Sequence, residues 1–160
     1  MTLFYDLKRW FNKMEITRKG KVGVDVEPSK AELQKIDDWQ IIEYFKPHEF
    51  SCKCGKCYGI LGINFDLVLE LEVLRKAYGL PIKVNSGYRC EDHVETKKNP
   101  TSSHHVGGNA VDISVKTSRE RYMILDVIFK QDLFQRIGIG KDFLHLDIDK
   151  DKSPLVAWLY

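Results

Sequence analysis

"SSHHVGGNAVDISV", Ser102 to Val115, sets two adjacent histidines and two adjacent glycines before a strict alternation. In a strand, Val111, Ile113 and Val115 share one face, while Ala110, Asp112 and Ser114 share the other. A stretch downstream has the same character. In "FLHLDID" (143–149), Leu144, Leu146 and Ile148 alternate with Phe143, His145 and Asp147. Each strand thus turns a metal-competent side chain away from an aliphatic layer. If the two strands are neighbours, His105, Asp112 and His145 converge, because Gly107 and Gly108 let the loop fold back over the strand. Two imidazoles and one carboxylate leave a fourth position for water, which is the open arrangement of catalytic zinc.

The elements around these strands mix helix and sheet without regular alternation. "NFDLVLELEVLRKAYGL" (64–80) predicts a helix with Leu67, Leu71, Leu74 and Tyr78 on one stripe and Gly79 closing it. "SRERYMILDVIFKQ" (118–131) predicts a second, with Ser118 as its N-cap. "PIKVNSGYR" reads as a short strand ending at Ser86–Gly87, and "FKPHEF" as a turn at Pro47 entering a short element. "RIGIG" and "FLHLDID" read as closing strands, with Gly138, Gly140, Lys141 and Asp142 as turn material. The expected fold is α+β, a small antiparallel sheet flanked by helices.

The N-terminal part differs. Leu3, Phe4, Leu7, Trp10, Phe11 and Met14 recur at helical spacing among Lys8, Arg9 and Lys13. This helix either docks on protein or lies on a membrane surface. A polar linker follows, and "SKAE" (29–32) fits a capping box opening another helix. The expected division is an extension over 1–42 and a domain over 43–160.

Composition narrows the function. Of 160 residues, 43% are hydrophobic, and 25 basic against 23 acidic residues give a net charge of +2. A core is expected, a monomer suffices, and nothing in the charge calls for a nucleic-acid partner. The first residues lack the apolar core and cleavage site of a secretory signal. Synthesis in a cytoplasm is therefore expected, with action on a cell wall after release, or from within a virion.

Ser103, His105, Gly108, Ala110 and Asp112 match S-x-H-x-x-G-x-A-x-D, which resembles the signature of the M15 zinc peptidases. That group includes D-alanyl-D-alanine carboxypeptidases and phage endolysins that cut peptidoglycan peptides. "SGYRC" (86–90) is similar to the family's arginine-bearing strand end, "FLHLD" to its C-terminal histidine motif, and "VAWLY" to the chain end of its phage-type members. The resemblance runs from about Phe45 to Tyr160. It implies a hedgehog/D-Ala-D-Ala peptidase-like domain with a catalytic Zn2+ held by His105, Asp112 and His145, His104 being the rival ligand. It implies Arg89 as anchor of a substrate carboxylate or stabiliser of the oxyanion, a structural ion pair being the alternative. The general base, three residues before the last ligand, falls on Asp142, with Asp147 as rival. Asp147 otherwise orients an imidazole N–H, with Ser103 beside the ligands.

The expected activity is hydrolysis of peptidoglycan stem peptides, as carboxypeptidase or endopeptidase, by a phage endolysin or virion-associated lysin. The N-terminal helix would supply any membrane or virion contact. Two alternatives are an inactive metal-binding recognition module and a structural phage component. Cys52, Cys54, Cys57 and Cys90 stay open between a second, structural Zn2+, disulfides and free thiols.

Overall fold

The computed structural model describes residues 39–57, 59, 61–104 and 107–160. The amphipathic N-terminal helix, the linker and the capping box expected above lie outside the described residues.

Five strands form one sheet: β1 (Val84–Ser86), β2 (Ala110–Ser114), β3 (Arg136–Ile139), β4 (Phe143–Asp147) and β5 (Val156–Leu159). Their spatial order is β1-β2-β4-β3-β5. The alternation in "AVDISV" and "FLHLD" brings β2 and β4 together as antiparallel neighbours, pairing Asp112 with His145 and Val111 with Leu146. A one-residue slip would have moved every apolar side chain to the wrong face, so burial of the aliphatic layer fixes this register. The sheet is antiparallel except at one edge, where β5 pairs parallel with β3. Sequence reading treated "VAWLY" only as a chain end; a parallel edge strand carries no local turn signal to announce it.

Val111, Ile113, Leu144 and Leu146 are fully buried on the aliphatic face. Helix α2 (Phe65–Tyr78) covers them with Leu67, Val68, Leu71 and Leu74, and α4 (Ser118–Gln131) adds Ile124 and Ile128. Each such side chain contributes about 1.5–3 kcal/mol of hydrophobic stabilisation. Asn64 caps α2 by accepting from the Asp66 N–H, and Gly79 closes it at φ 77°, a left-handed conformation that suits glycine. The N-cap of α4 is Thr117, whose hydroxyl accepts from the Glu120 N–H, and not Ser118 as expected. Thr117 is extended and so stands just outside the helix.

Two short helices complete the domain. The first, α1 (Pro47–Phe50), follows the expected turn at Pro47, and α3 (Val94–Lys98) follows the Arg89 strand end. His93 caps α3 through Nδ1. Trp39, in a 3-10 turn (Trp39–Ile41), packs against Phe50 and Phe65, and Ile42 is buried in the core. These residues stand before the expected boundary at 43 and belong to the packed core.

Gly138 lies inside β3 rather than in the turn expected for it, directly opposite His145. A Cβ there would sit 2.5 Å from the Tyr160 ring and 2.9 Å from the Trp158 ring. Two aromatic side chains occupy the space that any larger residue would need.

Candidate metal centre

The polar face of the sheet carries the site. Asp112 and His145 stand opposite each other on the central strands, with the Asp112 Oδ1 atom 2.9 Å from His145 Nδ1. The second imidazole, and third donor, belongs to His104, whose Nε2 lies 3.1 Å from the same Oδ1 atom. Among the described residues, His104, Asp112 and His145 form a group whose donor atoms all lie within 4.8 Å of one another. His105, which the motif register selects, lies outside the described residues.

The loop is shaped for this approach. Gly107 and Gly108 both adopt left-handed conformations, φ 68° and 62°. A Cβ on Gly108 would collide with the Gly62 carbonyl and lie 2.7 Å from Ile63 Cα, so only glycine fits. The Gly108 carbonyl accepts from the Asn64 N–H, and the His104 carbonyl accepts from the Arg89 N–H.

His104 is buried, and its Nδ1 lies 2.7 Å from the Gly87 carbonyl oxygen. A carbonyl only accepts, so Nδ1 carries the proton and the neutral ring turns the lone pair of Nε2 towards Asp112. Burial pushes the His104 pKa down, against a second proton, although Asp112 opposes this. The Nε2 lone pair and the carboxylate oxygen, 3.1 Å apart, are a pair of donors that a metal cation can share. Four-coordinate zinc with bonds of about 2.0–2.1 Å places its donors roughly 3.3 Å apart, so these donors fit a zinc ion.

The surroundings hold the ligands in place. The Arg89 guanidinium donates to Asp112 Oδ2 at 2.7 Å and to Ser86 Oγ at 3.0 Å, leaving Oδ1 to face the imidazoles. Burial would raise the Asp112 pKa, but contacts with His104 and His145 outweigh it and hold the carboxyl well below its usual range. His145 Nε2 faces Asp147 Oδ2 at 3.6 Å. Burial works against a charged His145, yet Asp112 and Asp147 together raise its pKa.

Asp147 is buried within a network that sequence reading saw only in part. Its Oδ2 accepts from Ser103 Oγ at 2.8 Å and from Arg136 Nε at 3.1 Å, and its Oδ1 from the Asp149 N–H at 2.7 Å. Burial raises its pKa, but contacts with His145 first, then Asp149, Ser103 and Arg136, pull it down to about 2. Ser103 also lies 3.0 Å from Asp149 Oδ2 and accepts from Lys152 Nζ. Asp149, Arg136 and Lys152 carried no sequence signal, because only the tertiary fold gathers them.

Asp142 is exposed in the bend that precedes β4. Its carbonyl accepts from the Val115 N–H. Two aromatic rings wall the site: Trp158 lies 5.5 Å and Tyr160 6.2 Å from His145, centroid to centroid.

The cysteines gather as well. Cys52, Cys54, Cys57 and Cys90 are free thiols whose sulfurs all lie within 4.8 Å of one another. The Lys56 N–H, donating to Cys54, lowers that thiol to about 6, and burial pushes Cys90 up to about 12.

A sequence model of the Peptidase M15 family matches residues 43–148, which span all three donors and the Arg89 strand end. The chain belongs to the M15 peptidases. No curated protein and no solved structure matches it. M15 peptidases are zinc-dependent metallopeptidases, in keeping with the donor set on the polar face. The M15 region includes β1 to β4, while β5, with Trp158, lies beyond it.

Proposed function

We propose that this M15 peptidase hydrolyses the stem peptides of peptidoglycan, as a phage endolysin acting on the cell wall after release or as a virion-associated lysin. The observation that carries the reading is the junction of His104, Asp112 and His145 with an arginine at Asp112's outer oxygen.

His104 Nε2, Asp112 Oδ1 and His145 Nδ1 are the atoms that would hold zinc, with His105 the alternative to His104. Zinc, when bound, polarises a scissile carbonyl and lowers the pKa of its water towards ~7. Asp142 takes the proton of the attacking water and passes it to the leaving amine. Asp142 stands exposed in the bend before β4, three residues ahead of His145. Arg89 holds Asp112 in orientation, and its charge suits the carboxylates that stem peptides present. Trp158 and Tyr160 narrow the access of water on the β5 side.

The test is a digest of purified muropeptides, with and without chelator, read by mass spectrometry. New fragments that vanish with chelator and return with zinc are expected, and their masses identify the bond. Tight zinc binding with no fragment from any muropeptide would sink the reading and leave a recognition module.

A further inference from the structure

The cysteine cluster lies outside the proposed chemistry, and its geometry is specific. Cys54 Sγ lies 3.5 Å from Cys57 Sγ and 3.5 Å from Cys90 Sγ. A disulfide brings two sulfurs to about 2.05 Å, so these pairs stand well apart from bonding distance. Four sulfurs bound to one zinc ion at about 2.3 Å lie roughly 3.8 Å from each other. The two 3.5 Å separations are close to the edge of such a tetrahedron, and all four sulfurs lie within 4.8 Å of one another.

The backbone supports the same reading. The Lys56 N–H donates to Cys54 Sγ at 3.3 Å, and the Cys90 N–H to Cys52 Sγ at 3.4 Å. Such donors stabilise sulfur that carries negative charge. Gly55, at φ 74°, makes the tight turn that lets Cys54 and Cys57 face one point. Cys52 and Cys90 are buried, while Cys54 and Cys57 are half-buried, so the cluster has a closed side and an entry side. The two segments are already laid together: the Tyr88 N–H donates to the Phe50 carbonyl at 2.8 Å, and Lys53 Nζ to the Asn85 carbonyl at 3.1 Å.

We propose that Cys52, Cys54, Cys57 and Cys90 bind a second metal ion, a thiophilic divalent cation of zinc's class, in a closed four-sulfur centre. The ion ties the 52–57 loop to the strand end 87–90, displacing the thiol protons to solvent as it binds. Cys90 directly follows Arg89, so the centre acts as a positioning device for the guanidinium at Asp112. The inference stands on the sulfurs alone and does not require the chain to cleave peptidoglycan.

Metal content and cobalt spectra of the full chain, purified under reducing conditions, test it. About two zinc equivalents per chain are expected, with about one in Cys57→Ser and in Cys90→Ser. Cobalt-loaded protein should show intense near-ultraviolet thiolate-to-metal absorption, absent from both variants and retained in His145→Ala. Should Cys90→Ser not fold, titration of the native chain with a mercurial reports instead, and one equivalent of zinc should leave as four thiols react. A single equivalent untouched by Cys57→Ser would overturn the proposal. So would an intact mass showing disulfides, or four thiols reacting without metal release. Loss of peptidase activity with the sulfur-bound equivalent intact would count against the proposed function only.

Discussion

The two donor clusters of this domain are built in opposite ways. Asp112 and His145 stand on adjacent central strands whose ladder hydrogen bonds hold them face to face. None of the four cysteines lies in a strand or helix. The sheet brings its donors together through the burial of Val111, Ile113, Leu144 and Leu146 on its other face, whatever occupies the site. The loop cluster gathers its sulfurs through a few backbone hydrogen bonds and lacks such a reservoir of burial. A strand-borne site is prepared in advance; a loop-borne site depends more on what it binds.

The comparison breaks first at the one donor of the strand site that comes from a loop. His104→Ala is expected to empty the site and reduce muropeptide cleavage to background, as is Asp112→Ala. Zinc content and turnover of His104→Ala and His105→Ala, side by side, check this. Loss confined to His105→Ala would mean that the motif register, and not the described loop geometry, selects the ligand.

A smaller effect is expected where chemistry is separated from binding. Asp142→Asn should keep its zinc and lose at least about a hundredfold in turnover, the order expected for a missing general base. Turnover close to that of the native chain would move the role to Asp147.

Asp147 also supplies a pH dependence of stability. Its pKa in the folded chain is about 2, against an ordinary 3.8. The stabilisation is therefore present above about pH 4 and is lost as the pH falls towards 2. Its size is on the order of 2 kcal/mol. Urea melts of chelated protein at stepped pH should show this acid limb, and Asp147→Asn should reduce it, leaving the part that Asp112 supplies. An unchanged limb would assign it to other carboxyls.

The smallest effect compares the clusters directly. Chelation should speed amide exchange several-fold in 52–57 and 87–90 and leave β2 and β4 protected, as followed by mass spectrometry of peptides. Equal loosening in both places would erase the distinction.

What could be read from the sequence follows the same division. Period-two alternation placed Asp112 and His145 on one face of a shared sheet, and the leucine stripe with its closing Gly79 gave α2. Both signals are local and repeat along the chain. The choice between adjacent histidines is not local, since it turns on two successive left-handed glycines and on a carbonyl from Gly87. Gly138 looked like a turn because its reason for being glycine, the rings of Trp158 and Tyr160, arrives from a distant strand. Asp149, Arg136 and Lys152 were silent for the same reason: charged residues look solvated until the fold buries the partners between them.

The pairing register has a consequence for shape. Ser86, Asp112, His145, Gly138 and Trp158 are successive partners across all five strands. At about 4.8 Å between strands, that line is roughly 19 Å long, the reach of an extended peptide of five or six residues. A chain lying along it crosses the strands at right angles and finds their amides already spent on one another. Such a chain would be held through its side chains and carboxylates rather than through added strand pairing. Strand pairing demands one handedness of its guest, whereas side-chain contact across the face of a sheet does not.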